Sequence, residues 1–305
     1  VSETPASDSL SLEGRVAVVT GSGSGLGAAE AIELARSGAS AVVVNDIKTS
    51  EHTDAVIAAI EEAGARAELV LGDVSEAATA DEMISAAEKL GGLDIVVNNA
   101  GITRDKMLFN MSDDEFDAVV KVHLRGHFLL TRNAGHYWRA KSKEAGAPVY
   151  GRLINTSSEA ALFGPPGQAN YGAAKAGITA LTLSASRALS RIGVTANAIA
   201  PRGRTSMTED VFEEWNPEDG PDPLAPERVA DLVSYLGSPA AQKVSGQLFV
   251  VYGGMVALVA APTVEQRFDA DGGIWNRAEF AAAIDSHWEG REEGRSFSAS
   301  EVAKL

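Results

Sequence analysis

The chain has 305 residues, 45% of them hydrophobic and 22% charged, enough for one large α/β domain and too apolar for global disorder. A formal charge of −16 argues against binding to nucleic acid or to anionic membrane surfaces, though a locally basic pocket is still allowed. The absence of Cys excludes a disulfide framework, thiolate metal ligation and a cysteine nucleophile, and fits a cytoplasmic protein. Residues 1–11 are polar and acidic and read as a flexible leader.

Gly14 to Thr20 is a short apolar run, as expected for a strand buried on both faces of a parallel sheet. It feeds a glycine-rich turn, Gly21-Ser22-Gly23-Ser24-Gly25-Leu26-Gly27, and a helix from Ala28 to Ser37 stopped at Gly38. A second strand, Ala41 to Asn45, ends at Asp46. A helix from Thr53 to Ala63 then closes on Gly64. Strand Arg66 to Leu71 ends at Gly72-Asp73-Val74, and helix Ala78 to Leu90 leads to strand Asp94 to Asn98 and the turn Asn99-Ala100-Gly101. Ser112-Asp-Asp-Glu115 is a capping box that opens a long helix toward Tyr137. After a polar insertion, 141–148, come strand Arg152 to Thr156, helix Tyr171 to Ile192 and strand Val194 to Ile199. The segment 201–226, rich in Pro, Gly, Asp and Glu, is too long for a simple connection and is a candidate substrate lid. Helix Pro226 to Leu236 and strand Leu248 to Val251 follow, and the apolar run Phe249 to Pro262, broken by Gly253-Gly254, reads as strand and turn rather than a membrane span.

The β-α-β-α alternation argues for a single doubly wound parallel-sheet domain over 12–262. The extension 263–305 carries Phe268, Trp275, Phe280 and Trp288, which need partners on the body or on another subunit.

Two pieces of this chain carry chemistry. In the glycine turn, Gly21, Gly25 and Gly27 allow a tight turn, close approach of a pyrophosphate, and close helix–strand packing at a helix N-terminus. Asp46 stands about twenty residues on, where a carboxylate accepts ribose hydroxyls and repels a 2′-phosphate. With no Arg or Lys in Ser22 to Ser24 and only Lys48 nearby, the site is expected to take NAD(H). The alternative is a solvated strand-end carboxylate. The second piece is Tyr171 with Lys175, four apart and so on one helical face. A phenol of pKa about 10 needs ~3–4 kcal/mol of help to ionise two to three units lower, and a neighbouring ammonium is a source of it. Ser158, thirteen residues earlier, can hold a substrate oxygen.

Together these features identify the chain as similar to the short-chain dehydrogenase/reductases: Thr20-Gly21-x-x-x-Gly25-x-Gly27, Asp73-Val74, Asn98-Asn99-Ala100-Gly101, Ser158, Tyr171, Lys175 and Pro201, in order over residues of about 14 to 255. The resemblance implies a Rossmann-like seven-stranded sheet, hydride transfer between a nicotinamide and a secondary alcohol or ketone, and homodimers or homotetramers. It makes Tyr171 the general acid/base, lets Lys175 lower its pKa while binding the nicotinamide ribose, and has Ser158 orient the substrate. Ser157 is then structural. Gly21, Ser24, Gly25, Leu26, Gly27, Asp46, Asp73, Val74, Asn99, Ala100, Gly101, Tyr171, Lys175 and Pro201 become the cofactor contacts.

Val122-His123-Leu-Arg-Gly126, Gly151 to Ser158, Gly167-Gln-Ala-Asn-Tyr171 and Met207-Thr208 resemble more closely the (3R)-hydroxyacyl-CoA dehydrogenase domain of the peroxisomal type-two multifunctional enzyme. That likeness implies a 3-hydroxyacyl-CoA or hydroxysteroid-type substrate. Part of it is shared with 3-oxoacyl carrier-protein reductases, the alternative within the class. A catalytically silent dinucleotide-binding protein is the alternative outside it. There are two departures. His123 stands where many relatives carry an Asn that helps hold a proton-conducting water, and Pro201-Arg202-Gly203 replaces the usual Pro-Gly, leaving nicotinamide contacts from Thr205 or Ser206 open.

Other features have plainer readings. No metal site is expected: the remaining His residues are scattered, and the pair His123 and His127 lacks a third ligand. Arg202 and Arg204 are candidates to meet phosphates of a CoA ester or, more simply, surface Arg. The C-terminal Ala303-Lys304-Leu305 resembles a peroxisomal address by coincidence.

Overall fold

The computed structural model describes residues 7–289 except 206, 209–211, 213, 214, 217 and 219, together with 291, 296–299 and 302. The start of the leader, Ser206, much of the lid and the C-terminal tripeptide fall outside the described residues.

The strands are β1 (Val16–Thr20), β2 (Ala41–Asp46), β3 (Arg66–Leu71), β4 (Ile95–Asn98), β5 (Gly151–Thr156), β6 (Val194–Pro201), β7 (Leu248–Tyr252) and β8 (Met255–Leu258). They form one sheet in the order β3-β2-β1-β4-β5-β6-β7-β8. β1 to β7 run parallel, as the family resemblance implies. β8 is an added antiparallel edge strand joined by the Gly253-Gly254 turn. The apolar run there therefore folds as a hairpin.

The β-branched runs of the central strands are buried on both faces. On one face pack α2 (Gly25–Arg36), α3 (Glu51–Glu62) and α9 (Glu227–Gly237), through Leu34, Ile60, Val229 and Leu236. On the other pack α4 (Ala77–Leu90), α6 (Gly126–Ala145) and α8 (Ala169–Leu189), through Met83, Leu130, Trp138 and Ala185. Each fully buried Leu, Ile, Val or Met among them contributes about 1.5–3 kcal/mol, so two apolar layers hold the sheet between them.

After β1 the chain winds outward through β2 and β3, then returns to place β4 on the other side of β1. That reversal opens a crevice at the carboxyl ends of β1 and β4, where open α/β sheets bind ligands.

The leader is less loose than expected at its end. Ser7–Leu10 forms one helical turn, α1, and Leu12 is fully buried. The long helix read from Ser112 is interrupted. The capping box at Ser112 and Glu115 opens α5 (Asp113–Val120), a π-helical turn covers Lys121–Arg125, and α6 then continues. A π turn inserts extra backbone and re-aims the side chains it carries, here His123. In the extension, Asn276 and Glu279 cap α10 (Arg277–Trp288), which buries none of its residues. Near the end of the chain, Ala299 N–H donates to the Leu162 carbonyl (2.9 Å), and Val302 packs against the apolar cluster of Ala198, Ala200, Leu248 and Val250.

Candidate active site

The glycine turn is held rigidly at the end of β1. Gly21 and Gly25 have φ of +60° and +59°, which side-chain-bearing residues rarely adopt. A Cβ on Gly21 would lie 2.8 Å from Ala100 Cα, and one on Gly27 would lie 2.5 Å from both the Gly21 carbonyl oxygen and Asn99 Nδ2. Ser22 Oγ donates to the Val19 carbonyl and accepts from the Asn45 N–H, tying the turn to β2. Ser24 caps α2 without a side-chain hydrogen bond, so its hydroxyl does not compete for the first-turn N–H groups.

Asp46 leans back over this turn: Oδ2 accepts from Gly23 N–H (3.1 Å) and Oδ1 from Ile47 N–H (2.7 Å). A side chain at Gly23 would strike Asp46 Oδ2 at 2.5 Å, so the second glycine of the turn makes room for the carboxylate. Across the crevice, Thr20 Oγ1 accepts from the N–H groups of Asn99 and Ala100, and Asn99 Nδ2 donates to the carbonyls of Thr20 and Gly21. Asn99 is thus the brace between β4 and the turn. Asp73 Oδ1 caps its own turn by accepting from Ser75 N–H (2.8 Å).

One cavity of about 600 Å³ runs from these residues to the catalytic candidates. Its walls include Gly21, Ser24, Gly25, Leu26, Asp46, Asp73, Val74, Asn99, Ala100, Gly101, Pro201, Ser158, Tyr171, Lys175 and His123. Gly27 is the one site residue read from the sequence that does not line it. It is buried behind the turn, where it lets α2 approach Gly21 and Asn99. From the lid side Thr205, Met207, Thr208 and Phe212 complete the walls.

Lys175 Nζ donates to the Thr156 carbonyl at 2.6 Å and lies 5.3 Å from the centre of the Tyr171 ring. The Ser158 hydroxyl accepts from Ala160 N–H (3.2 Å) and lines the cavity together with Tyr171. Ser157 faces away, donating to Lys175 O and pairing with Thr179, which fits its structural reading.

Burial dominates the electrostatics here. It lowers Lys175 to about 7, with only Glu30 opposing. It raises Tyr171, while the Ser158 hydroxyl lowers it and Asp105 raises it further. The expected lowering of Tyr171 by Lys175 is absent here, because an amine partly neutral near pH 7 stabilises a phenolate weakly.

The His123 side chain is engaged in the site. The ring meets Tyr171 edge-on with centroids 5.1 Å apart, and Nε2 sits 2.7 Å from the Ile102 carbonyl oxygen and 3.0 Å from its nitrogen. Burial, then the charge of Lys175, push its pKa down to about 3, so it is neutral at working pH. His127, four residues on, is also buried and packs. No group of three His, Cys, Asp or Glu among the described residues could hold a metal ion.

Three arrangements escaped the sequence reading. Asn170, buried at the start of α8, accepts from Tyr171 N–H (2.7 Å) and donates to the carbonyls of Arg104 and Glu115. The Gly-Gln-Ala-Asn-Tyr run was its only signal. Arg202 is no surface Arg: it forms a two-bond pair with Glu159 (2.7 Å each), donates to the Val302 carbonyl and lies over Tyr252. Arg204 pairs with Asp222 at 2.9 Å. Both guanidiniums are thus engaged by acids of the chain itself.

The donor-lined turn, the uncapped first turn of α2 and the carboxylate at the end of β2 fit a dinucleotide. The model of the short chain dehydrogenases matches residues 15–216. The chain belongs to the short-chain dehydrogenase family.

It is 59% identical to "Hydroxyacyl-CoA dehydrogenase ChsB1" of Mycobacterium tuberculosis, over 96% of this chain and 94% of that protein. A "3-oxoacyl-[acyl-carrier-protein] reductase" of Synechocystis is 42% identical, over 80% of this chain and 98% of that one. The mouse "Peroxisomal multifunctional enzyme type 2" is 37% identical over 81% of this chain but only 33% of its own length. Among solved structures, a short chain dehydrogenase from Mycobacterium avium superposes with a TM-score of 0.82 at 40% identity, covering 94% of this chain and 99% of that one. The chain is therefore an oxidoreductase of the alcohol dehydrogenase/ketoreductase type, using a nicotinamide dinucleotide. No helix among the described residues is long and apolar enough to cross a membrane.

Proposed function

We propose that this chain is an NAD(H)-dependent dehydrogenase acting on a 3-hydroxyacyl-CoA or a hydroxysteroid-type secondary alcohol. The observation that carries the reading is the single cavity joining Asp46 and the glycine turn to Ser158, Tyr171 and Lys175. When bound, the nicotinamide accepts or supplies the hydride. The turn and the α2 N-terminus hold the pyrophosphate, Asp46 the adenosine ribose, Asp73 and Val74 the adenine edge, and Lys175 the second ribose.

Ser158 Oγ donates to the substrate oxygen. Tyr171 Oη takes its proton in oxidation and returns it in reduction. His123, neutral and wedged between Ile102 and the Tyr171 ring, fixes the phenol's direction without itself titrating. Segment 201–226, with Thr205 and Met207 on the cavity wall, covers the substrate. The 59% identity to a hydroxyacyl-CoA dehydrogenase supports the acyl-CoA class. With a formal charge of −16, CoA recognition would rest on local contacts rather than on a basic surface.

Initial rates with NAD⁺ and NADP⁺ against 3-hydroxyacyl-CoAs, hydroxysteroids and simple alcohols test the reading. NAD⁺ with one of the first two classes is expected. NADPH-dependent reduction of carrier-protein thioesters would instead favour the reductase reading, which the 42% identical relative supports. Tight NADH binding with no turnover on any of them would make the chain a silent dinucleotide binder. We also infer a homodimer or homotetramer in the cytoplasm, which sizing by light scattering and localisation of the tagged full chain would check.

A further inference from the structure

Tyr171 is held at two ends, and both holds lead to the same stretch of chain. At the ring end, His123 meets the phenol edge-on, and its Nε2 lies 2.7 Å from the Ile102 carbonyl oxygen. At the backbone end stands Asn170, whose side chain is wholly buried. Its Oδ1 accepts from Tyr171 N–H at 2.7 Å. Its Nδ2 donates to the Arg104 carbonyl at 3.0 Å and to the Glu115 carbonyl at 3.1 Å.

Capping of the helix does not account for this side chain. α8 begins at Ala169, and Oδ1 alone satisfies the Tyr171 N–H, one of the first-turn donors that a helix leaves without a partner. The two Nδ2 bonds go elsewhere, one to the loop that follows β4 and one to the first turn of α5. An amide offers an acceptor and two donors from one small head, whereas an ionised carboxylate of the same size offers no donor. All three bonds are made, so the amide is fixed in place.

Neighbouring bonds draw the same loop onto the start of α8. Lys106 N–H donates to the Gly167 carbonyl at 2.9 Å, Lys106 and Gln168 form a parallel bridge, and Gln168 Nε2 donates to Asp105 Oδ2 at 2.7 Å. Ile102, Thr103 and Asp105 line the cavity that Ser158 and Tyr171 also line. The segment 102–106 is thus both a wall of the reaction cavity and the support to which Tyr171 is tied.

We propose that Asn170 is a positioning residue that fixes Tyr171 against the cavity wall 102–106 for proton transfer; this rests on the dehydrogenase reading above. Asn170 does not line the cavity and acts through the Tyr171 backbone. The phenol oxygen stands at the far end of a long, rigid side chain, so a small rotation at the start of α8 becomes a larger displacement of Oη. A shift of about 1 Å in a reacting group costs on the order of 10²-fold in rate.

The test is Asn170→Ala made in two backgrounds, wild type and Tyr171→Phe. Circular dichroism reports the fold, and NADH formation with enzyme in excess reports alcohol oxidation. In the wild-type background the substitution is expected to slow oxidation about ten- to a hundredfold. In the Tyr171→Phe background it is expected to change the residual rate by less than about twofold, because residues that act as a unit are not additive. An equal loss in both backgrounds would overturn the proposal, since a residue that only supports the fold slows both alike. Wild-type turnover in Asn170→Ala would overturn it too.

Asn170→Ser, whose hydroxyl can still donate to one of the two carbonyls, is expected to regain part of the loss, and it takes over the comparison if the Ala variant does not fold. Failure of both variants to fold would give Asn170 to the fold rather than to Tyr171 and overturn the proposal. The dehydrogenase reading fails separately, if wild type oxidises no alcohol or if Tyr171→Phe matches it.

Discussion

Substituting Gly101 with Ala tests how tightly the phenol is held. An added Cβ would lie 2.2 Å from His123 Cε1 and 3.0 Å from each ring nitrogen. Carbon–carbon contacts are comfortable at about 3.5–4.0 Å, so one partner has to move by more than an ångström. The imidazole has little room to yield, because it is 1% exposed, bonded to Ile102 and edge-on to Tyr171. Overpacking of this kind costs about 1–3 kcal/mol of stability. The displacement passes to Tyr171, and a shift of about 1 Å in a reacting group costs on the order of 10²-fold in rate. Thermal unfolding and kcat/KM for alcohol oxidation read the two effects separately. Gly101→Ala combined with His123→Ala removes the clash and is expected to recover most of the lost stability. Wild-type stability and turnover in Gly101→Ala alone would refute the argument, as would a double variant no better than the single one.

Four further outcomes are expected. Tyr171→Phe removes the acid/base group and should lower kcat about 10²–10⁴-fold with NADH affinity nearly kept, measured by single-turnover kinetics and fluorescence titration. Asp46→Ala should reduce the NAD⁺ over NADP⁺ preference in kcat/KM by at least tenfold, and an unchanged ratio would return Asp46 to a solvated carboxylate holding Gly23. Arg202→Met strands the Glu159 carboxylate and frees Val302, so limited proteolysis of the C-terminal extension should speed up. Finally, Glu30 has a folded pKa of about 8 against 4.5 unfolded, so the native state binds more protons between those values and loses stability as pH rises through that window. The melting temperature of wild type relative to Glu30→Gln should therefore fall from pH 5 to 8, and a flat difference would contradict the buried carboxyl.

The chain's sequence alone determined what depends on local geometry. Gly21, Gly25 and Gly27 were legible because a tight turn between strand and helix tolerates few other residues there. Asp46 was legible because the second strand of such a unit has to end beside that turn, and Tyr171 with Lys175 because one helical turn separates them. The parallel order of β1 to β7 followed from the alternation of elements, since parallel neighbours need helical crossovers.

Tertiary structure decided what depends on residues far apart in the chain. The neutral, buried state of His123 comes from a π turn and from packing against Ile102 and Tyr171, neither of which has a local signature. Arg202 looked like a free guanidinium until the fold brought Glu159 and Val302 to it. Lys175 was read as the group that lowers the pKa of Tyr171, but burial lowers its own first. Glu30, the charge that opposes this, lies on α2, far from Lys175 in the chain, and only the fold lets it act there. A charge's effect depends on distance and desolvation, and only the packed sheet sets either for residues so distant in sequence.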